Sequence, residues 1–411
     1  MTAEPGAIHP AAGGDGGACL SGPLAGFRVI DLTVNVLGPL ATQALGDMGA
    51  DVIKVEPPEG DPMRHIGPAR SPGIGSLFLS ANRNKASIVL DLKQPAARDA
   101  LLRLADTADV FVHAMRPAAA RRLGLDYPVL ARRVPRLVYA SAGGFRKDGP
   151  RQDLPAFDDV IQGLSGLPAL IAQANGEARY VPMPLCDKLV GQALAAAIGL
   201  ALLHRERTGR GQEVHVPMLE TMLAFNLVEH LWHGTLAEPE RGLGYPRMLT
   251  PYRRPHATRD GHICLLAVTD AQWRRVFDAI GRPELSADPR FAEVGARSTN
   301  VDALYRLLAE AIGQHDTAEW LRRFAAADIP CGPMQSLSDI VADPYLRETG
   351  FFERHDHPTE GTVVTTAIPS FFSDSPGRVR RLAPRLGADT HVVLSALGYS
   401  AAEIAALAQA P

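Results

Sequence analysis

Val29-Ile30-Asp31-Leu32, then Gly38-Pro39, then Leu45-Gly46-Asp47-Met48-Gly49-Ala50-Asp51-Val52-Ile53-Lys54-Val55-Glu56 is the stretch that decides the fold. Residues 28–32 and 51–55 are short, apolar and rich in β-branched side chains, which predicts two buried strands, and the run from Pro39 predicts the helix between them. Further along, the same reading predicts strands at 87–92, 109–113 and 136–142, with a helix from Ala96. Strands alternating with helices imply an α/β fold with a doubly wound, mostly parallel sheet. Such sheets take ligands outside the carboxyl ends of their strands. Segments 33–37, 56–64, 114–122 and 143–145 are therefore expected around a crevice.

Beyond residue 216 the texture changes. Apolar residues at helical spacing over 217–244 predict a linker helix, and Arg259-Asp260-Gly261 is a hairpin signal. Thr269 with Gln272 makes a capping-box pattern for a helix that Gly281 ends. Further helices from Val301 and Thr317 complete a smaller α+β domain over 245–329. Residues 1–22, rich in Gly, Ala and Pro without a basic start or hydrophobic run, read as a mobile tail and not as a signal peptide.

Bulk composition narrows the function classes. The chain has 411 residues and a net charge of −3. Its pI is about 6.5, and no basic stripe provides the electrostatic footprint of a nucleic-acid binder. Cys19, Cys186, Cys264 and Cys331 lie far apart without a CxxC pair, which predicts free thiols in a cytoplasmic setting and no zinc site. The apolar run 194–203 is too short to span a bilayer, so no membrane partner is expected. Glu56 follows a strand as a ribose-binding acid would, but no GxGxxG follows the first strand, so dinucleotide chemistry is not expected. His230 with His233 on a helix, and His355 with His357, have metal-like spacing; packed or solvated histidines are the competing reading.

Asp187 stands where Val181-Pro182-Met183-Pro184 gives way to the apolar run Lys188-Leu189-Val190-Gly191-Gln192-Ala193-Leu194. Prolines disfavour helix before it and Ala and Leu favour helix after it, so Asp187 falls at or next to a helix N-cap. There, unpaired N–H groups and the helix dipole favour an anion, either as an ordinary cap or as a nucleophile. Cys186 beside it reads as a small buried thiol or a reactive one.

Pro182-Met183-Pro184-Leu185-Cys186-Asp187, Gly191 and the run Ala201-Leu202-Leu203-His204-Arg205-Glu206-Arg207-Thr208-Gly209-Arg210-Gly211-Gln212 together resemble the signature of the CaiB/BaiF family, the class III CoA transferases. The opening strand-helix-strand matches as well, as do Asn82-Arg83-Asn84-Lys85, Leu90-Asp91-Leu92-Lys93 and Ala383-Pro384-Arg385-Leu386-Gly387-Ala388-Asp389-Thr390. The resemblance runs from about residue 23 onward. It implies a Rossmann-like large domain, residues 23–216, to which 330–411 returns, and a homodimer of interlocked subunits. It also implies transfer of CoA from an acyl-CoA to a free carboxylic acid, with coenzyme A as substrate and no permanently bound cofactor.

By the same resemblance Asp187 is the catalytic nucleophile, and Asp158 occupies an acidic position near it; a plain turn aspartate is the alternative. CoA contacts fall on Val36, Leu37, Leu90, Lys93, Met115, Arg116 and Arg122, those in 90–93 mainly through backbone and the last two being alternatively solvated helix arginines. Departures narrow the chemistry. Val34-Asn35-Val36 stands where formate-using members have His-x-Gln, Pro57 replaces a CoA-binding arginine, and no glycine-rich loop occurs near 245–259, which disfavours formyl transfer. Racemases of the same fold carry Gly-His-Asp where this chain has Ala156-Phe157-Asp158, so the second acid/base for α-proton exchange is missing. A non-catalytic acyl-CoA-binding protein is the other alternative. Arg247, Arg253 and Arg254 form a candidate receptor for the distal anion of a dicarboxylate, or a solvated surface.

Overall fold

The computed structural model describes residues 22–408, so most of the expected N-terminal tail lies outside the described residues. Two compact units account for the described residues: those up to 165, 181–224 and those from 350 onward form the first, and 166–180 with 225–349 the second.

The first unit is built on six parallel strands, β1 (Arg28–Leu32), β2 (Asp51–Glu56), β3 (Lys85–Val89), β4 (Val110–His113), β5 (Val138–Gly143) and β6 (Gln212–Pro217), in the order β3-β2-β1-β4-β5-β6. The order reverses direction between β1 and β4, which leaves a crevice at their carboxyl ends. Helices α1 (Leu37–Asp47), α2 (Pro95–Ala105), α3 (Pro117–Leu123), α4 (Tyr127–Arg133), α5 (Asp158–Leu164) and α6 (Leu185–Thr208) connect and cover the strands. Ile30, Ile53, Ile88, Leu101, Leu104 and Phe111 form much of the core on one side. Buried β-branched strands flanked by helices whose apolar stripes face them are what doubly wound packing requires.

Behind the crevice lies an ionic network. Asp31 accepts from Thr33 and Thr42 and pairs with Lys85 at 3.2 Å, all fully buried. Lys54 donates to the Thr33 carbonyl at 2.7 Å and pairs with Asp61 at 2.9 Å, while Asp61 accepts from the Asn35 N–H. These bonds fix the loop after β1, where Asn35 is left-handed at φ 66°. The sequence reading placed 56–64 on the crevice. Arg64 instead grips Glu56 with two 2.7 Å bonds and lies over the Phe78 ring, so both ends of this segment are committed to the interior while Pro57, Glu59 and Pro62 between them are exposed.

α6 has 24 residues and is long and apolar enough by length and composition alone to cross a membrane, longer than the apolar run read from the sequence. In the fold Val190, Gly191, Leu194, Ile198, Ala201 and Leu202 form a buried stripe. At Gly191 an added Cβ would stand 2.6 Å from the Leu37 carbonyl oxygen, so glycine permits the close approach of α6 to α1. The C-terminal segment returns to this unit: Asp389 and Thr390 accept from the Ser87 and Val89 N–H groups, covering the free edge of β3.

The second unit has a three-stranded antiparallel sheet, His256–Ala257, His262–Leu265 and Cys331–Pro333. Trp273, Phe277, Phe291, Trp320 and Phe324 fill its core, and Thr269 with Gln272 forms the capping box. The division falls elsewhere than the sequence places it. Residues 330–349 join this unit because Cys331–Pro333 is the third strand of its sheet, and helix Met218–His230 spans the boundary at 224 instead of standing as a separate linker.

Candidate active site

The approach to α6 is shaped by its prolines. Two tight turns, Met183 N–H to the Val181 carbonyl and Leu185 N–H to the Met183 carbonyl, both 2.7 Å, bring the chain to the Pro184 cap. Asp187 is the third residue of the helix, and its N–H donates to Asp158 Oδ1 at 3.0 Å. Asp158 opens α5 and is buried.

The pKa of Asp187 moves against the direction expected from the sequence, although the carboxyl stays ionised above pH 7. Helix-start N–H groups were expected to favour its anion, whereas burial, and after it the neighbouring Asp158 carboxylate, push its pKa up to about 6. Here the desolvation and like-charge effects outweigh the helix-start effect. Cys186 is a neutral buried thiol, pushed up to about 12 by burial and then by Asp158 and Asp187.

Asp187 borders a cavity of about 630 Å³ at the carboxyl edge of the sheet. Val34, Asn35 and Leu37 line it from the loop after β1, and Met115, Arg116 and Ala120 from the turn and helix after β4. Gly143, Gly144 and Phe145 contribute the end of β5, Phe157 the approach to α5, and His215 and Met218 the end of β6. Its size suits a small-molecule arm. A neighbouring depression of about 440 Å³ is lined by Met115, Arg116, Arg122 and Asp153.

The predicted CoA contacts divide accordingly. Leu37, Met115 and Arg116 border the cavity and Arg122 the depression. The side chains of Val36 and Leu90 lie elsewhere: Val36 packs with Met63, Phe78 and Ala383, and Leu90 belongs to the core beside Ile88 and Leu101. Lys93 sits in the turn after β3, its N–H on Asp91 and its carbonyl receiving Arg98. Val36 caps α1 and Leu37 is its first residue, and successive residues of a helix point about 100° apart, which explains why Leu37 and Val36 part company.

Three groups that the sequence reading missed form a row across β4, β5 and β6, since His113 is in register with Ser141 and Ser141 with His215. His113 accepts from the Met115 N–H and bonds the Tyr139 hydroxyl at 2.6 Å. Burial, then His215, lowers its pKa to about 4, so it is neutral. His215 Nε2 bonds the Phe145 carbonyl, which fixes Nδ1 as acceptor for the Ser141 hydroxyl at 2.9 Å. The signal was the Glu213-Val214-His215-Val216 alternation after Gly211, a short edge strand.

Histidines with metal-like spacing are engaged elsewhere. His230 accepts from the Tyr245 N–H, His357 bonds the Ala383 carbonyl, and His355 lies between Glu353 and Thr365. Among the described residues no cluster of three metal-ligating side chains occurs. Arg247 is half-buried and donates to the Tyr305 hydroxyl.

Residues 24–390 match the family described as CoA-transferase family III. The chain is 38% identical over 330 residues to the acetyl-CoA:oxalate CoA-transferase of Acetobacter aceti, covering 79% of this chain and 83% of that protein. It is 33% identical over 386 residues to the succinate–glutarate CoA-transferase of Agrobacterium fabrum, covering 91% and 96%. Among solved structures, a mutant of a Mycobacterium tuberculosis protein superposes with a TM-score of 0.81 at 31% identity, over 92% of this chain and all of that one. A CaiB/BaiF protein from Brucella suis gives a TM-score of 0.77 at 31% identity, again over 92% and 100%.

Proposed function

The chain belongs to CoA-transferase family III, and from that premise we propose that Asp187 carries CoA covalently between an acyl-CoA thioester and a free carboxylic acid. The observation that supports this most directly is a carboxyl group bordering a cavity large enough for a thioester arm, beside Arg116 and at the carboxyl edge of the sheet.

In the proposed sequence an Asp187 oxygen attacks the donor thioester carbonyl and CoA leaves as thiolate, giving a mixed anhydride. Thiolate then attacks the aspartyl carbonyl of that anhydride, releasing the donor acid as carboxylate and leaving an aspartyl-CoA thioester. The acceptor carboxylate attacks this thioester and frees thiolate, which takes the acyl group from the second anhydride and restores Asp187. The donor, aspartyl and product thioesters are of similar energy with the two anhydrides above them, and the sequence as written uses no metal or redox group. Asp158 steadies the nucleophile through the Asp187 N–H. Leu37, Met115, Arg116 and Arg122 are the proposed CoA contacts. Relatives that act on oxalate and glutarate support a small dicarboxylate as one substrate.

Exposed Leu200 and Leu203 on α6 support an interlocked homodimer, since apolar side chains in such number on a long helix are suited to cover by a second copy. The free thiols of Cys186, Cys264 and Cys331 support a cytoplasmic setting. The test is an acyl-CoA by carboxylate activity matrix with hydroxylamine trapping and peptide mass mapping. A hydroxamate on Asp187 in the parent, and loss of transfer in Asp187→Asn, are the expected results. Transfer at the parental rate by Asp187→Asn would overturn the mechanism, and intact CoA binding by a parent without turnover would leave a binding protein.

A further inference from the structure

Gln162 lies one helical turn beyond Asp158 on α5 and is fully buried. Its carboxamide is used at both ends. Nε2 donates to Asp158 Oδ2 at 2.6 Å and to the Met183 carbonyl at 3.3 Å, while Oε1 accepts from the Val181 N–H at 2.9 Å. A backbone N–H can only donate and a carbonyl can only accept, so these partners fix which end of the amide is nitrogen. The other oxygen of Asp158 receives the Asp187 N–H. One buried amide thus grips the turn segment leading into α6 and, through Asp158, the backbone of Asp187 itself.

We propose that Gln162 is a positioning residue of the reaction: its N–H holds one oxygen of Asp158, whose other oxygen in turn holds the backbone of Asp187 where that residue meets the thioester. This rests on the reading of Asp187 as nucleophile. A brace for a loop could be apolar. A buried donor aimed at a carboxylate, which aims in turn at the nucleophile's backbone, does more, because an ionised carboxylate in a buried site needs donors on its oxygens. Other charged or titratable groups on the elements packed against α6 are Asp159 on α5, Asp47 on α1, Tyr139 on β5, and Glu213 and His215 on β6, with Cys186 and Lys188 near the start of α6 and His204, Arg205, Glu206 and Arg207 at its far end. Asp47 is committed to Arg83, and Asp158 is the one charged group among them that acts on Asp187.

The test uses the full chain and the fastest pair from acetyl-CoA or succinyl-CoA with oxalate, malate or glutarate, following kcat/KM against pH. Gln162→Met keeps the volume and removes the donor. Asp158 is then free to turn away from Asp187 and its charge bears on that residue less, so the acid limb set by Asp187 moves down by about half to one pH unit, with kcat/KM at pH 7.5 falling about 10-fold. In Gln162→Glu the new carboxyl shares a proton with Asp158 and acts as a donor until that proton is lost. A new alkaline limb is expected, which loosening of the loop alone would not produce. Thermal unfolding reports whether each variant folds, and Gln162→Glu decides alone if Gln162→Met does not. The inference is overturned if the folded variants keep the parental acid limb and show no alkaline limb while Asp187→Asn is inactive. An active Asp187→Asn would instead overturn the nucleophile reading on which it rests.

Discussion

Asp187→Asn should abolish transfer and make the protein more stable, and the pH dependence of that gain is the sharpest measure of how the site is built. The Asp187 carboxyl is held up at about 6, against 3.8 unperturbed, by burial and then by Asp158. Folding therefore raises its proton affinity, and between pH 3.8 and about 6 the folded chain holds more proton than the unfolded one. Stability consequently falls as pH rises through that window. Above it the ionised group costs at most about 3 kcal/mol, and roughly 1–3 kcal/mol once the partial exposure of the side chain is discounted. Asparagine has the same shape without the charge. The variant should gain that amount at pH 7.5, seen as a melting temperature a few degrees higher. The gain should be only slightly smaller at pH 6, fall to about a third of its full size at pH 4.5 and be nearly gone only below pH 3.8. Paired calorimetric scans of parent and variant across this range, on protein whose loss of transfer has been checked, supply the measurement. If the helix-start effect governed the carboxyl, the same substitution would lose roughly 0.3–1 kcal/mol at neutral pH. A destabilised Asp187→Asn, or a gain indifferent to pH, would refute the reasoning.

Gly191→Ala puts a Cβ 2.6 Å from the Leu37 carbonyl oxygen, an immovable backbone atom, and should cost about 1–3 kcal/mol and depress turnover because Leu37 borders the cavity. Gly199→Ala on the same helix meets nothing within 4 Å and should be neutral or stabilising, so equal melting temperatures for the two would contradict the packing account. Lys85→Met leaves Asp31 buried without its nearest cation. Burial pushes that carboxyl up, but Lys85, Lys54 and two threonine hydroxyls outweigh it and hold it at about 2, so a loss of roughly 3–5 kcal/mol is expected in denaturant unfolding. Asp31→Leu added to Lys85→Met should recover part of the loss, and no recovery would count against a charge-based cause. Arg116→Ala should raise KM for the acyl-CoA about 10-fold with kcat little changed, and Arg122→Ala, which borders only the outer depression, should do less.

Much of the sheet was legible because buried parallel strands announce themselves as apolar runs between helices, as in β1, β2 and β4. β6 was not, since Gln212-Glu213-Val214-His215-Val216-Pro217 is half polar, and with it went His215 and the row it forms with Ser141 and His113. The start of α6 could be placed from Pro182 and Pro184 to within a few residues. The upward shift of the Asp187 pKa could not, because local sequence carries the helix-start effect whereas burial and the approach of Asp158 are set by tertiary packing. Val36 and Leu90 show a related limit: resemblance brings a segment to the site, but only the fold says which side chains face the cavity.

The features that make Asp187 costly to the fold also suit it to acyl exchange in the proposed reaction. A carboxylate at its ordinary pKa near 3.8 would be a weak nucleophile and a ready leaving group, so the first anhydride would collapse back toward donor. Raising the pKa to about 6 makes the oxygen more basic while leaving the group almost wholly ionised above pH 7. The shift is produced without a compensating hydrogen bond to the carboxyl among the described residues: Asp158 takes the backbone N–H of Asp187, and Gln162 takes the remaining oxygen of Asp158. Donors in the site are thus spent on the second carboxylate. The first is left desolvated and facing the cavity, where a thioester carbonyl is the group best able to relieve it.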